Sequence, residues 1–323
     1  MSKNYLTFLL IILFPVFFTG CSVSSYVPDP QPLQSGRLPI PNKMVTIQNL
    51  GPCTDSPDST LHFNSNHPIT VLVHGCNGSA GRFRSLAQLF AFHGQQAVCY
   101  SYDDRDSLVD ISEQLVTALD ELSGHIEHQN LTLIGHSMGG LVARKAMEQE
   151  RSDRWQQDGS NLKLVTVSAP LGGIEVARTC GNKLLHWLTL GLLPASCWAV
   201  SGDNWYQITP QSHFIQSPGP LSPTLKGYLK IVTDESQTCR RINAKGKCIE
   251  DDYIFSLSEQ YNPIIDQYPM ITNVEVKAGH VEIVGYKDVA PRKLLSILQD
   301  QEVLAPTPKE RQVALERLLA ELY

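Results

Sequence analysis

The sequence predicts an α/β fold with a mostly parallel central sheet and helices on both faces. Short apolar segments alternate with longer segments of helical spacing through most of the chain, a pattern typical of successive β-α-β units. The apolar segments are unbroken rather than alternating, as in strands that are buried on both faces. One of them, Leu131 to Ile134, ends at the glycine-flanked turn Gly135-His136-Ser137-Met138-Gly139, which leads into a helical segment.

The individual elements follow from local composition and spacing. A β-branched run that stops at a Gly/Asn/Ser turn predicts the first central strand, and a stripe of leucine and isoleucine predicts an amphipathic helix after the second. The predicted strands are Ile69 to His74, Gln96 to Tyr102, Leu131 to Ile134, Leu162 to Ser168, Tyr228 to Val232 and Val274 to Lys277. The predicted helices are Arg82 to His93, Leu108 to Leu122, Leu141 to Glu150 and Pro291 to Leu298, with a C-terminal amphipathic helix over Pro308 to Leu319.

The length and charge of the chain limit the number of domains and the kinds of partner that we expect. A chain of 323 residues with 42% hydrophobic residues can bury a full core, as one large domain or two smaller ones. The formal net charge is −6 and no Lys/Arg run is present, which argues against nucleic acid as a partner. No Cys/His cluster has the spacing of a zinc site, so no metal is expected.

The N-terminus predicts a targeting segment rather than part of the fold. Residues 1–20 carry Lys3 before an apolar stretch of about fourteen residues, too short to span a bilayer well. The run Phe18-Thr19-Gly20-Cys21 resembles a bacterial lipoprotein signal, which implies lipidation of Cys21. Ser22 follows it, which in such lipoproteins implies the outer membrane, and we expect the domain to face the periplasm. Residues 21–43, rich in serine and proline, predict a semi-rigid tether before a domain over 44–323.

The remaining cysteines predict disulfides in an oxidising compartment. Cys239 and Cys248 bracket a short basic loop, and we expect them to staple a hairpin. Cys180 and Cys197 bracket an apolar stretch and could close a second loop. Cys53, Cys76 and Cys99 then compete for one bond and leave one thiol over, because the sequence alone does not determine connectivity.

Two motifs and one following segment resemble the α/β-hydrolase superfamily, and within it bacterial lipase-like and esterase-like lipoproteins. The motifs are Val71-Leu72-Val73-His74-Gly75 and Leu131 to Gly140, and the segment is Ser168 to Gly173. The likeness covers roughly Pro68 to Leu298 and implies an α/β-hydrolase fold. Residues 171–225 interrupt the alternation, and in this superfamily an insertion there forms a cap over the pocket. The alternative is an excursion that only packs on the core.

The resemblance also implies a catalytic triad in the order serine, acid, histidine. Ser137 lies in the turn where a serine becomes a nucleophile, and His280 follows a predicted strand, where this fold places its base. His186 and His213 fall within the cap. The acid is predicted as Asp252, because the run from Asp252 to Gln260 resembles the lipase segment that carries it. Asp234, directly after a strand, and Asp251 are the alternatives.

The expected activity is hydrolysis of carboxylic esters by a membrane-anchored serine hydrolase, through an acyl-enzyme and without a cofactor. The amide of Met138 and the amide of Cys76, or else that of Asn77, are expected to bind the oxyanion. The expected substrate is a small-molecule or lipid ester, which the apolar cap favours. The same residues would serve a thioesterase, an amidase or an acyltransferase. A non-catalytic envelope lipoprotein is the alternative from another class.

Overall fold

A computed structural model describes residues 39–127, 130–148 and 161–323 of the chain. The predicted signal segment, Cys21 and most of the tether lie outside these residues. No helix within the described ranges is long and apolar enough to cross a membrane.

The strands follow the predicted order along the chain. Those of the first half are β1 Lys43–Val45, β2 Leu50–Gly51, β3 Leu61–Phe63, β4 Ile69–Val73, β5 Gln96–Tyr100 and β6 Asn130–His136. Those of the second half are β7 Asn161–Val167, β8 Leu225–Asp234, β9 Cys239–Ile242, β10 Cys248–Asp251 and β11 Ile271–Lys277. β8 is longer than predicted, because residues 225–231 pair with β7 and residues 228–234 pair with β11.

One sheet of seven strands forms the centre, in the order β11-β8-β7-β6-β4-β5-β2. Its pairs are parallel except that β2 runs antiparallel to β5 at one edge. The carboxyl ends of β6, β7, β8 and β11 therefore meet at one edge of the sheet, where ligands bind in open α/β sheets. The prediction of a mostly parallel sheet is confirmed.

Helices cover both faces, as predicted. They are α1 Arg84–Phe92, α2 Leu108–Ser123, α3 Met138–Ala146, α4 Lys183–Leu188, α5 Leu192–Ser201, α6 His213–Gln216, α7 Leu257–Gln260, α8 Pro263–Asp266, α9 Arg292–Asp300 and α10 Gln312–Leu322. Successive residues of a strand point to opposite faces. Accordingly Val71 and Val73 join the core under α2 and α3, whereas Leu72 joins the core under α1, α9 and α10.

The C-terminal helix packs on its own domain. Leu315, Leu318 and Leu319 of α10 are buried in the core shared with α1 and α9, while Val313 faces solvent. The apolar stripe read from the sequence therefore contributes to the core of the domain.

The segment 171–225 carries three short helices, α4 to α6, outside the sheet. Six large apolar side chains of α4, α5 and their connection are exposed: Leu184, Trp187, Leu188, Leu190, Leu192 and Trp198. The guanidinium of Arg105, in the loop after β5, donates to the carbonyls of Trp198, Ala199 and Val200 at 3.0–3.3 Å. These hydrogen bonds attach the end of α5 to the loop after β5, at the carboxyl edge of the central sheet.

Disulfides close both predicted short loops. Cys239 pairs with Cys248, joining β9 to β10, and Cys180 pairs with Cys197 across the 171–225 segment. The third pair is Cys53 with Cys99. The expectation of a leftover thiol is wrong, because Cys76 is also disulfide-bonded and none of the described cysteines is free.

Candidate active site

Ser137 lies in a sharp turn between β6 and α3. Its backbone has φ 57° and ψ −128°, a region that costs a non-glycine residue about 1–3 kcal/mol. The turn is held because the Ser137 amide donates to the carbonyl of Val167 on β7 at 2.9 Å. A Cβ on Gly135 would lie 2.3 Å from the carbonyl oxygen of Gly139, so this position requires glycine. The turn therefore presents the Ser137 hydroxyl at the carboxyl edge of the sheet.

His280 follows β11 at the same edge and is buried. Its Nδ1 lies 2.8 Å from Oε1 of Glu235 and 2.9 Å from Oγ of Ser168. The ring packs edge-on against Phe255, with centroids 4.9 Å apart. An N–H at Nδ1 donates to the carboxylate, which leaves the lone pair of the ring at Nε2, as a general base requires.

Glu235 is the carboxylate that contacts the histidine ring. It is buried, and it comes directly after β8. Oε1 also accepts from the hydroxyls of Ser168 at 2.6 Å and Thr233 at 3.0 Å. Oε2 accepts from the backbone amides of Ile254 and Phe255 at 2.6 and 2.8 Å. Each oxygen of the Glu235 carboxylate thus accepts more than one hydrogen bond.

These donors determine the protonation of Glu235. Burial by itself raises the pKa of the Glu235 carboxyl, but the hydrogen bonds and charge of His280, with those from Ser168 and Phe255, outweigh it. The net pKa of Glu235 is lowered from its ordinary value. The group is therefore an anion at neutral pH, in contact with the imidazole.

The structure does not place Asp252, the predicted acid, against the His280 ring. The carboxylate of Asp252 accepts instead from Arg240 at 2.9 Å and from the backbone amides of Val281 and Glu282 at 3.0–3.2 Å. Its position beside the backbone of His280, rather than beside Nδ1, is the physical reason that the prediction fails.

The two alternative acids also lie elsewhere. Asp234 is half-buried, and hydrogen bonds from Ser236 and Lys277 lower the pKa of its carboxyl to about 2. Asp251 accepts from the amide of Tyr253 at 3.1 Å in an exposed turn. Neither carboxylate hydrogen-bonds to the ring of His280, whose Nδ1 contacts Glu235 and Ser168 instead.

The sequence contained a signal for Glu235 that the prediction did not use. The carboxyl end of β8 is the position that the topology of this fold gives to the acid, and Asp234 is the alternative acid that the sequence predicts there. β8 extends through Asp234, and the next residue turns to the opposite side and into the interior. Considering glutamate as well as aspartate at the first loop residue would have found it.

Ser137 and His280 line one cavity of about 450 Å³ under the 171–225 segment. Its walls are mainly apolar, and its polar lining includes two arginines, Arg82 and Arg240. Apolar lining residues are Met138, Leu141, Pro170, Ile174, Val176, Ala177, Val200, Ile208, Ile254, Phe255 and Val281. Such a cavity suits the apolar part of a ligand, with a few polar groups to orient it.

Two elements bring backbone amides to the cavity beside the nucleophile. Met138 begins α3, where the first amides of a helix have no intrahelical acceptor, and it lines the cavity. Cys76 also lines the cavity, in a loop that packs against the nucleophile: a Cβ on Gly75 would lie 2.7 Å from Cβ of Ser137. The amide of Asn77, the alternative to Cys76, donates to the carboxylate of Asp104.

His136 contacts His280 from the other side. Its Nε2 donates to the backbone carbonyl of His280 at 2.8 Å, and the two ring centroids are 4.8 Å apart. Burial, with the nearby His280, lowers the pKa of His136 to about 3. The ring is therefore neutral, and it fixes the backbone of His280 rather than adding a charge.

The predicted residues that the structure brings to the cavity are Ser137, His280, Met138 and Cys76. His186 does not line the cavity. Its Nε2 donates to the carbonyl of Cys180 within the 171–225 segment. A nucleophile turn, a histidine and a buried carboxylate are the components of covalent acyl transfer. No group of three His, Cys, Asp or Glu side chains arranged for a metal ion occurs in the described ranges.

Comparisons with known proteins bear on the fold. A family model described as serine aminopeptidase, S33, matches residues 64–204. No curated protein matches the chain. The crystal structure of a Bacillus licheniformis lipase in its mature form aligns with a TM-score of 0.50 and 17% identity, covering 81% of this chain and 98% of the lipase. The propeptide form of that lipase gives a TM-score of 0.51 and 17% identity, over 81% of this chain and 53% of the other. With its sheet order and nucleophile turn, the chain has the α/β-hydrolase fold.

Proposed function

We propose that this protein is a serine hydrolase of carboxylic esters, with Ser137 as nucleophile, His280 as general base and Glu235 as the acid. The observation that carries the proposal is the 2.8 Å contact between Nδ1 of His280 and the buried Glu235, at a cavity shared with the strained Ser137. The turn serine, the buried carboxylate and the imidazole follow three different strands, in the chain order that this fold uses. What differs from the sequence prediction is the identity of the acid.

The chemistry follows from these contacts. Oγ of Ser137 attacks the ester carbonyl and passes its proton to Nε2 of His280, while Glu235 retains the hydrogen bond from Nδ1. The tetrahedral intermediate expels the alcohol, which takes the proton from His280, and an acyl-enzyme is left. Water then attacks the acyl-enzyme, again losing a proton to His280, and the acid product leaves with Ser137 restored.

The oxyanion of each intermediate needs donors already in place. We assign them to the amides of Met138 and Cys76, which both line the cavity. Loss of one such donor typically raises the barrier by about 2.7–4 kcal/mol.

Acyl esters fit this cavity better than charged substrates of similar size. The walls are mainly apolar, and the adjoining segment exposes tryptophan and leucine side chains, Trp187 and Leu190 among them, at 74% and 91% of their surface. Exposed apolar surface of this kind marks contact with an apolar partner, here the acyl part of an ester or a lipid assembly. The name of the structural neighbour, a lipase, agrees with this substrate class.

An aminopeptidase activity, named by the family model, is less consistent with the cavity. An aminopeptidase must hold the protonated amino terminus of a peptide, for which a carboxylate is the ordinary partner. Among the described residues that line the cavity there is no Asp or Glu, whereas Arg82 and Arg240 are both present. A positively charged amine is not favoured there.

A fluorophosphonate probe and a substrate series test the proposal. We expect the probe to label the wild-type protein and not Ser137→Ala, with Ser196→Ala, an exposed serine of α5, as the labelled control. Nitrophenyl esters of increasing acyl length should be hydrolysed faster than the matching thioesters and anilides. Equal labelling of Ser137→Ala and wild type would remove Ser137 from the mechanism. A wild-type protein that neither reacts with the probe nor hydrolyses esters would favour the non-catalytic lipoprotein, and transfer to added alcohol would favour an acyltransferase.

We also propose that the protein is held at the outer membrane by lipid on Cys21, on the basis of the sequence alone. The expected result is that the full chain fractionates with membranes and that Cys21→Ser moves it to the soluble fraction. The lipid thioether and a disulfide compete for the thiol of Cys21, because the three described disulfides leave it as the one other cysteine of the chain that Cys76 could bond. Peptide mapping that finds Cys21 in a disulfide would therefore contradict the anchor.

A further inference from the structure

Asp252 is a second buried carboxylate beside His280, and the proposed mechanism does not use it. Asp252 is 0% exposed as a residue, and the proposed acid Glu235 is 1% exposed. Burial of a carboxylate without partners costs a large amount of free energy. The groups that Asp252 contacts therefore show which part of the structure it stabilises.

Asp252 binds three consecutive amides of the loop that carries the base. Its backbone carbonyl accepts from the His280 amide at 2.9 Å. Its carboxylate accepts from the Val281 amide at 3.1 Å through Oδ1 and from the Glu282 amide at 3.0 Å through Oδ2. Residues 280–282 are thereby fixed by one residue from a different part of the chain.

Gly279 makes this approach possible. A Cβ on Gly279 would lie 2.1 Å from Oδ2 of Asp252. Only a residue without a side chain allows the carboxylate to lie against the backbone immediately before His280.

Arg240 supplies the opposite charge. Its Nε and Nη2 donate to Oδ1 of Asp252 at 3.1 and 2.9 Å, and Nη1 donates to Glu250 at 3.4 Å. Arg240 lies on β9, which the Cys239–Cys248 disulfide joins to β10, and it also lines the cavity. Removing one partner of a buried pair leaves the other charge uncompensated.

We propose that Asp252 is a positioning residue for His280, and that Arg240 is its counterion, so that the disulfide-joined hairpin β9–β10 holds the general base in place. The inference rests on the proposed function. Asp252 acts through the backbone of His280, whereas Glu235 acts on the ring.

The charges near His280 give this proposal a distinctive signature. The charged or titratable groups that face it are Glu235 at the ring, His136 on the opposite side, Asp252 with Arg240, and Glu282, which pairs with Lys293. In the wild type the guanidinium of Arg240 is shared between Asp252 and Glu250. Replacing Asp252 removes one anion, which disfavours the imidazolium, and replacing Arg240 removes one cation, which favours it.

The test compares Asp252→Asn and Arg240→Gln with neighbours of the same type. Asp251→Asn and Arg241→Gln are the matched controls, since both residues are exposed on the same hairpin. We expect Asp252→Asn to lower kcat on a nitrophenyl ester by about 10- to 100-fold with little change in KM. The acid limb of the kcat/KM profile should move to lower pH in Asp252→Asn and to higher pH in Arg240→Gln, by about 0.5 unit each. The controls should match the wild type.

Several results would overturn the proposal. One is a kcat of Asp252→Asn equal to that of Asp251→Asn; another is an acid limb that shifts in the same direction, or not at all, in the two variants. Should Asp252→Asn fail to fold, Arg240→Gln alone decides the question through the upward shift of its acid limb. Failure of the wild type to label at Ser137 would instead overturn the proposed function, so the two failures are distinguishable.

Discussion

His280 is held at two places, at its ring by Glu235 and at its backbone by Asp252, and the two carboxylates invite comparison. Both are buried, and both accept several hydrogen bonds, two of them in each case from backbone amides. Glu235 contacts Nδ1 of the His280 ring, whereas Asp252 accepts from the backbone amides of residues 280–282. The two residues have the same chemistry, so the atom that each contacts decides its role.

The groups that stabilise the two carboxylate charges differ as well. Asp252 has the guanidinium of Arg240, so its charge is offset within the pair. Glu235 has hydroxyls, amides and the imidazole itself, so its negative charge is available to stabilise the imidazolium that forms when Ser137 gives up its proton. A carboxylate already paired with an arginine would stabilise that cation less.

The largest effect should come from the ring contact. Glu235→Gln keeps the size of the side chain and removes its charge, so the imidazolium loses its partner and the tautomer of His280 is no longer enforced. We expect kcat/KM for an ester to fall by about 10³- to 10⁴-fold, the scale seen when the acid of a serine triad is neutralised.

The control for that variant is Asp234→Asn. Asp234 is the half-buried neighbour of Glu235, and its carboxylate bonds to Lys277 rather than to His280, so it should tolerate the change with near wild-type kcat/KM. The comparison breaks if Asp234→Asn loses as much activity as Glu235→Gln, or if Asp252→Asn loses more than either.

A smaller effect, on stability, should come from His136, which holds the backbone of His280 from the other side. The pKa of His136 is about 3 in the folded protein, lowered by burial, against about 6.5 in an unfolded chain. A folded-state pKa that is lowered gives stability that is present above pH 6.5 and is lost as the pH falls toward 3. Each such group lowers the free energy of unfolding by up to about 1.4 kcal/mol per pH unit in this window.

Chemical denaturation between pH 6.5 and 5 measures this slope. His136→Gln keeps a donor near the His280 carbonyl and does not titrate, so its free energy of unfolding should fall less steeply than that of the wild type. Burial also lowers the pKa of His74 and His93, so the slope should decrease and not vanish. His62→Gln, on the exposed side of β3, is the control. Parallel slopes for His136→Gln and the wild type would contradict a neutral, buried His136.

The strands and helices of the central sheet were predictable from local pattern. Unbroken apolar runs such as Ile69–Val73 can be buried only between two helical layers, and the stripe of Leu108–Ser123 can cover only one of them. Boundaries shifted where pairing extends a strand, as in β8. The helix after Ser137 begins three residues earlier than predicted, because the turn itself starts it.

Cysteine pairing shows the same division. Cys239–Cys248 and Cys180–Cys197 close short loops and were expected from spacing. Cys53–Cys99 is one of the pairings that the sequence leaves open, because it depends on the antiparallel pairing of β2 with β5, which places Gly51 opposite Cys99 and brings the following residues alongside.

The sequence by itself determined the α/β class, the turn that presents Ser137 and the position of His280 after the last strand of the sheet. These features depend on residues close together in the chain, where glycine, apolar runs and turns act directly on the backbone. The tertiary structure alone decided which carboxylate meets the His280 ring. Glu235, Asp234, Asp251 and Asp252 lie within eighteen residues of one another, and each has a charge that could serve. Their separate roles follow from where β8 ends and from how the β9–β10 hairpin folds back, and both depend on contacts between strands distant in sequence.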